Sequence, residues 1–197
     1  MPVLEVRNLK VSYSASGPQI LKGIDFAVDG GDFCAVIGPS GAGKTTLFEA
    51  LLQAGASRVV AGTRAVEDAQ WLESVAARWP DRVVVAADVR GDEVVVRGWT
   101  AGAGQRVEAL LDRLGSLPLG GVLVTDVGRE GRMTGVDAPR FAALARATSL
   151  PVLASGGVAG ADDLEALERA GAAGVVLGMA LYTGALDAAA VAREYHT

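Results

Sequence analysis

The sequence predicts an α/β fold built on parallel strands, and three observations carry that reading. From about residue 55 onward, strand-like and helix-like segments alternate, as they do in parallel sheets and barrels. The strand-like segments are nearly continuous Val, Leu and Ala, the pattern of strands covered on both faces. The residues closing those strands are polar or glycine, and the carboxyl ends of strands are where such folds bind ligands.

The amino-terminal segments have a different texture. Residues 3–13, 20–28 and 33–38 read as strands, rich in β-branched residues and separated by Gly17-Pro18 and Gly30-Gly31 turns. The first two have the look of an antiparallel pair. A helix over 44–54 follows. Beyond it, strands are expected at 58–62, 82–88, 121–126, 151–155 and 174–178. Helices are expected at 67–78, 105–115, 137–148, 161–170 and 187–195. The helix over 161–170 puts Leu164 and Leu167 on one face, with Ala161 and Ala170 beside them and acids opposite. One insert breaks the alternation: residues 92–97 read as a short extra strand after Gly91, forming a hairpin above the main sheet.

Composition narrows the function classes. A chain of 197 residues can hold one domain with a real core or two small ones, but is short for a complete (β/α)₈ barrel of ~250 residues. Half the residues are hydrophobic and about a fifth are charged, which is globular rather than disordered. A net charge of -5 offers nucleic-acid phosphates no basic stripe, so no nucleic-acid partner is expected. Cys34 is the only cysteine, which excludes an intrachain disulfide and fits a reducing compartment. It reads as a small buried hydrophobe in a strand. The sequence starts without a signal-peptide pattern and has no apolar stretch long enough to span a bilayer. The expectation is a cytoplasmic protein without membrane insertion.

The strand ends are Gly62-Thr63, Asp88-Val89-Arg90, Thr125-Asp126, Ser155-Gly156-Gly157 and Gly178-Met179. Glycines there let backbone N–H groups approach a ligand, and the helix starts that follow favour an anion. Five stretches carry these ends: Ala54-Gly-Ala-Ser-Arg-Val-Val-Ala-Gly-Thr63; Ala87-Asp-Val-Arg-Gly91 with Arg97-Gly-Trp99; Val124-Thr-Asp-Val-Gly-Arg-Glu-Gly-Arg-Met-Thr-Gly135; Ala154-Ser-Gly-Gly-Val158; and Val176-Leu-Gly-Met-Ala-Leu-Tyr182. In order and spacing they resemble barrel strands four to eight of the ProFAR isomerase family, the phosphoribosyl isomerases of histidine biosynthesis. The resemblance covers roughly three-quarters of the chain.

What the resemblance implies is an Amadori rearrangement of a bis-phosphorylated ribotide, with no cofactor. An aminoaldose opens and becomes an aminoketose through an acid at the ring oxygen and a base at the sugar carbon. It makes Asp88 the acid/base residue and has Thr125 hydrogen-bond the reacting sugar. Gly156, Gly157 and Gly178 become the cradle of one phosphate, and Gly62 and Thr63 a substrate-contacting strand end. Arg97 and Trp99 lie in a loop that folds over the substrate, and residues 128–135 form a mobile lid. Taken alone, Asp88 could instead be a loop cap, and Trp99 a packing residue.

The first ~50 residues carry a different motif. Gly38-Pro-Ser-Gly-Ala-Gly-Lys-Thr45 is a full Walker A, placed between an expected strand and an expected helix. Gly38, Ser40, Gly41 and Gly43 would wrap phosphate oxygens, Lys44 would reach terminal phosphates and Thr45 could hold Mg²⁺, so ATP and Mg are the candidate ligands there. With residues 4–13 and 20–28, this resembles the start of an ABC-transporter ATPase. No Leu-Ser-Gly-Gly-Gln signature follows, Thr125 interrupts the nearest approach to a Walker B at 122–126, and the single histidine, His196, is penultimate.

The combined expectation is a hybrid with two parts, 1–50 and 51–197. It is an α/β chain with a partial (β/α)₈ barrel of five βα units, preceded by a β-hairpin and a P-loop strand–loop–helix unit. The family's first-strand aspartate has no counterpart: Gly23-Ile-Asp25 echoes it faintly, but Asp25 reads as a plain strand residue. Weak or absent isomerase turnover is therefore expected. The alternatives are an ATP-binding module without efficient hydrolysis, or an inert folded hybrid. The Walker unit is expected to dock in the third βα slot near Gly62-Thr63. Exposed barrel edges predict homo-oligomerisation.

Overall fold

The computed structural model describes residues 4–12, 17–29 and 43–195. Two compact units divide after Val59. The strand expected at 33–38, with Cys34, lies outside the described residues, as do Gly38, Ser40, Gly41 and His196.

In the first unit, β1 (Leu4–Ser12) pairs antiparallel with β2 (Gln19–Val28). This is the expected hairpin. Its register slips around Val6–Leu9. There Asn8 takes a left-handed φ of 47°, and its N–H donates to Asp25 Oδ1 at 2.7 Å. Asp25 thus stitches the irregular stretch of its own hairpin, in keeping with the plain strand reading. Helix α1 (Lys44–Gln53) starts at Gly43, whose φ is 83°. A Cβ at Gly43 would sit 2.9 Å from Leu21 Cδ2, so only glycine lets the chain turn this close to β2.

The second unit is an open, mixed sheet; among the described residues it does not close into a barrel. Its order is β6-β5-β4-β7-β8-β9, with β3 also on β4. The five strands of the expected βα units are β3 (Val59–Ala61), β4 (Val83–Arg90), β7 (Gly121–Asp126), β8 (Val152–Ser155) and β9 (Gly174–Val176). The last four run parallel to one another. The insert is larger than expected. Both β5 (Glu93–Val96) and β6 (Ala101–Arg106) fold antiparallel beyond β4, whereas the sequence suggested only the first. The expected helix over 67–78 is α3 (Ala69–Arg78), preceded by an additional short helix, α2 (Thr63–Glu67); between them Asp68 turns out of helical geometry and its carboxylate caps α3 at Trp71 N–H.

Burial explains why these segments hold. On β4, Val83, Val85, Ala87 and Val89 are at most 1% exposed. Helix α4 (Val107–Gly115) offers fully buried Val107, Leu110, Leu111 and Leu114. Each such side chain contributes roughly 1.5–3 kcal/mol, far above the tenths that helix propensity supplies. Helices α5 (Ala138–Arg146) and α6 (Ala161–Arg169) bury Phe141 with Leu144, and Leu164 with Leu167. The Leu164–Leu167 stripe is the one expected from the sequence. The chain ends in short α7 (Met179–Tyr182) and α8 (Ala188–Glu194). Among the described residues no helix is long and apolar enough to cross a membrane.

Candidate functional site

Strand register gathers the site. Asp88 on β4 pairs with Thr125 on β7, Thr125 with Ser155 on β8, and Ser155 with Val176 on β9. In-register residues of parallel strands point to the same face, so these four make one row. Adjacent strands lie ~4.8 Å apart, which puts Asp88 about 10 Å from Ser155 along the row. Their face also carries Ala86, Leu123 and Leu153 and is only partly buried, whereas the opposite face packs tightly. A polar row on the less buried face, at the carboxyl ends, is the arrangement a bound ligand needs. Thr125 is buried, at 9% exposure.

Each end of the row has its own loops. At the Asp88 end, the turn between β5 and β6 folds back over the strand. Arg97, Gly98 and Trp99 all adopt left-handed backbone, with φ of 56°, 64° and 67°. Such a run is costly for the two residues with side chains. It aims the Trp99 indole N–H at Asp88 Oδ2, at 2.8 Å. Arg97 N–H donates to Thr63 Oγ1 at 3.1 Å, and its guanidinium pairs with Glu67 at 3.0 Å. Thr63, expected as a substrate contact, is thus occupied by the hairpin. Gly62 precedes it at the start of α2.

At the other end, Ser155, Gly156 and Gly157 face the loop 128–135 across a small open cleft. Glu130, Met133, Gly178 and Met179 complete the lining used here. The glycines are obligatory. Gly156 has φ 96°, and a Cβ there would stand 2.6 Å from the Asp126 carbonyl oxygen. Gly157 has φ 88°, and its Cβ would stand 2.6 Å from the Gly135 carbonyl oxygen and 2.9 Å from Arg129 Cβ. Gly178 differs: nothing lies within 4 Å of its added Cβ. Buried Asp126 organises the lid, accepting Gly128 N–H at 3.0 Å and pairing with Arg129 at 3.5 Å.

The structure therefore brings together Asp88, Thr125 and Trp99 at one end, and Gly156, Gly157 and Gly178 at the other, on one sheet. Gly43, Lys44 and Thr45 belong to the first unit, at the start of α1. Sequence reasoning passed over Glu130 and Met133 as cavity-lining residues, although both sit inside the lid it identified. No group of three or more His, Cys, Asp or Glu among the described residues is placed to hold a metal.

Comparison with known proteins bears on the chemistry. The family described as histidine biosynthesis protein matches residues 26–187, a span that takes in both the glycine loop at 38–45 and the whole site. An isomerase of Myxococcus xanthus, named 1-(5-phosphoribosyl)-5-((5-phosphoribosylamino)methylideneamino)imidazole-4-carboxamide isomerase, is 50% identical over 174 residues, 88% of this chain and 69% of that protein. Proteins of the same name are 53% identical over 148 residues in Gemmatimonas aurantiaca and 46% identical over 135 residues in Halobacterium salinarum. These matches cover 75% and 68% of this chain, but only 62% and 56% of the relatives' own lengths.

Proposed function

This chain belongs to the histidine biosynthesis protein family, and from that premise we propose that its site binds a bis-phosphorylated ribotide and isomerises its aminoaldose to an aminoketose. The observation that supports this most is the row Asp88–Thr125–Ser155, ending in a glycine cradle under a lid.

In this reading one phosphate lies against the backbone of Gly156, Gly157 and Gly178. The ribose then extends along the row, where Thr125 can hydrogen-bond it and Asp88 can reach the reacting carbons. Protonation of the ring oxygen opens the sugar to an iminium ion. Loss of the proton on the neighbouring carbon gives an enaminol, and protonation at the first carbon with loss of the enol hydroxyl proton gives the ketose, so protons move but no atom is gained or lost. Two carboxyl groups divide this work well. Asp88 is one. Glu130, which lines the cavity, is a candidate for the other. With no counterpart of the first-strand aspartate in the sequence, turnover is expected to be slow.

The test is direct: the ribotide's isomerisation is followed with the wild type, Asp88→Asn and Glu130→Gln. Asp88→Asn should lower kcat by ~10²–10⁴-fold. Measurable wild-type turnover that Asp88→Asn leaves intact would refute the assignment. The open sheet, with β6 and β9 at its edges, supports homo-oligomerisation, which size-exclusion chromatography checks.

A second reading rests on residues 38–45. A Walker pattern leading through left-handed Gly43 into a ten-residue helix supports binding of ATP–Mg²⁺ or of phosphate alone. Thermal stabilisation by ATP–Mg²⁺ that Lys44→Ala abolishes would favour it.

A further inference from the structure

Two loops form the cradle end of the site, and one side chain holds both. Asp163 lies in the first turn of α6 and is not part of the cavity lining. Its Oδ1 accepts the N–H of Val136, where the lid ends, at 3.1 Å. Its Oδ2 accepts the N–H of Ala159, where the cradle loop ends, at 2.8 Å. The two loops also meet directly, through Gly135 N–H to the Gly157 carbonyl at 3.0 Å. Arg129 Nη1 donates to the Gly135 carbonyl at 3.1 Å, so the same lid residue is gripped from its own loop as well.

We propose that Asp163 is a positioning residue that couples the phosphate cradle to the lid, so that an anion held by Gly156–Gly157 orders residues 128–135. The inference rests on the reading of 156–157 as a phosphate cradle, but not on which reaction follows. Its physical basis is that a carboxylate accepting from two backbone N–H groups fixes both loop ends at once, and charged acceptors make the stronger bonds. Neighbouring Asp162 is exposed and serves as the control. α6 has no side-chain cap at Gly160, so the alternative is that Asp163 merely steadies the start of its own helix.

The lid carries its own reporter. Arg132 is exposed within it and is a trypsin site, so cleavage there follows the population of open lid. The experiment measures cleavage at Arg132 with and without saturating inorganic phosphate in the wild type, Asp163→Ala and Asp162→Ala, with circular dichroism as the check on folding. Asp163→Asn, which keeps the side-chain shape and one acceptor, serves if Asp163→Ala does not fold. Phosphate is expected to slow wild-type cleavage. Asp163→Ala should raise cleavage roughly 5- to 30-fold, the scale of one or two lost interactions, and should lose the phosphate protection. Asp163→Asn should keep part of it, and Asp162→Ala all of it. A helix-steadying role would raise cleavage by the same factor with and without phosphate, which overturns the coupling, as does a wild type that phosphate fails to protect. If protection depends on Asp163 but the ribotide is not isomerised, the coupling stands and the proposed reaction falls.

Discussion

Gly157→Ala offers a sharp test of how closely the lid and the cradle approach. The added Cβ would stand 2.6 Å from the Gly135 carbonyl oxygen and 2.9 Å from Arg129 Cβ, with the backbone at φ 88°. A non-glycine residue in such backbone costs roughly 1–3 kcal/mol. Relieving the clash by lifting the lid breaks the Gly135–Gly157 hydrogen bond, a further ~0.5–1.5 kcal/mol. A total of about 2–4 kcal/mol corresponds to roughly 4–16 °C in Tm for a chain of this size. The comparison that gives the number meaning is Gly178→Ala. There the backbone, at φ -119° and ψ -103°, is also unfavourable for a residue with a side chain, but the added Cβ meets nothing within 4 Å, so the lid should stay closed while the methyl intrudes on the cradle. Thermal melting followed by circular dichroism, together with cleavage at Arg132, reads both effects. Gly157→Ala should melt early and open the lid, whereas Gly178→Ala should leave the lid closed and yet weaken phosphate binding. A Gly157→Ala protein with wild-type melting and a closed lid would refute the argument, as would equal opening of the lid by the two variants.

The remaining predictions concern the other end of the row and its supports. Trp99→Phe removes the one indole N–H on Asp88 while keeping the ring; with Trp99 40% exposed, stability should change by less than ~0.5 kcal/mol, while turnover should fall. An unchanged turnover would separate Trp99 from the acid/base chemistry. Arg140 on α5 donates to the Gly91 carbonyl and lies 4.0 Å from Asp92, so Arg140→Ala should speed amide exchange in β5 and β6 while β7 stays protected. Asp137→Ala removes the cap that accepts Arg140 N–H at 3.1 Å and should cost ~1 kcal/mol in denaturant unfolding.

Where the sequence was legible, a single periodicity dominated. The strand at 121–126 and the helix starting at 161 stand where expected, because unbroken apolar runs and an amphipathic stripe leave little choice. Strand β6 was not legible. Ala101-Gly-Ala-Gly has little intrinsic strand preference, and the segment is extended because β5 offers it a ladder, Val95 to Gly102 and Val96 to Ala101. The start of α3 at 69 rather than 67 had a signal that the expectation missed, since Asp68 followed by a helical run is a start pattern. For the site the division is similar. Asp88, Thr125, Ser155 and the glycines end strands, so their chain positions reveal them. Asp163 and Arg140 do not: they start helices and reach partners 27 and 49 residues away, which no local pattern encodes.

Those distant partners explain how an open sheet can keep a site in order. Loops at the carboxyl edge are tied to one another by side chains acting on backbone, or by paired polar groups. The end of β3 is tied to the β5–β6 turn through Thr63 and Arg97. That turn is tied to β4 through Trp99 and Asp88. The start of the hairpin is tied to α5 through Arg140, and the lid to the cradle through Asp163 and the Gly135–Gly157 hydrogen bond. Several of these ties are exposed, and each alone is worth on the order of 1 kcal/mol or less. Their effect comes from sequence around the edge: a loop already held by its neighbour has less conformational entropy to lose when a ligand arrives. The ordering of the Asp88 end should therefore depend on occupancy of the cradle, even though the two lie two strands apart. Phosphate added to the wild type should lower amide exchange in residues 97–100 as well as in the lid, and Arg140→Ala should remove the first effect while leaving the second.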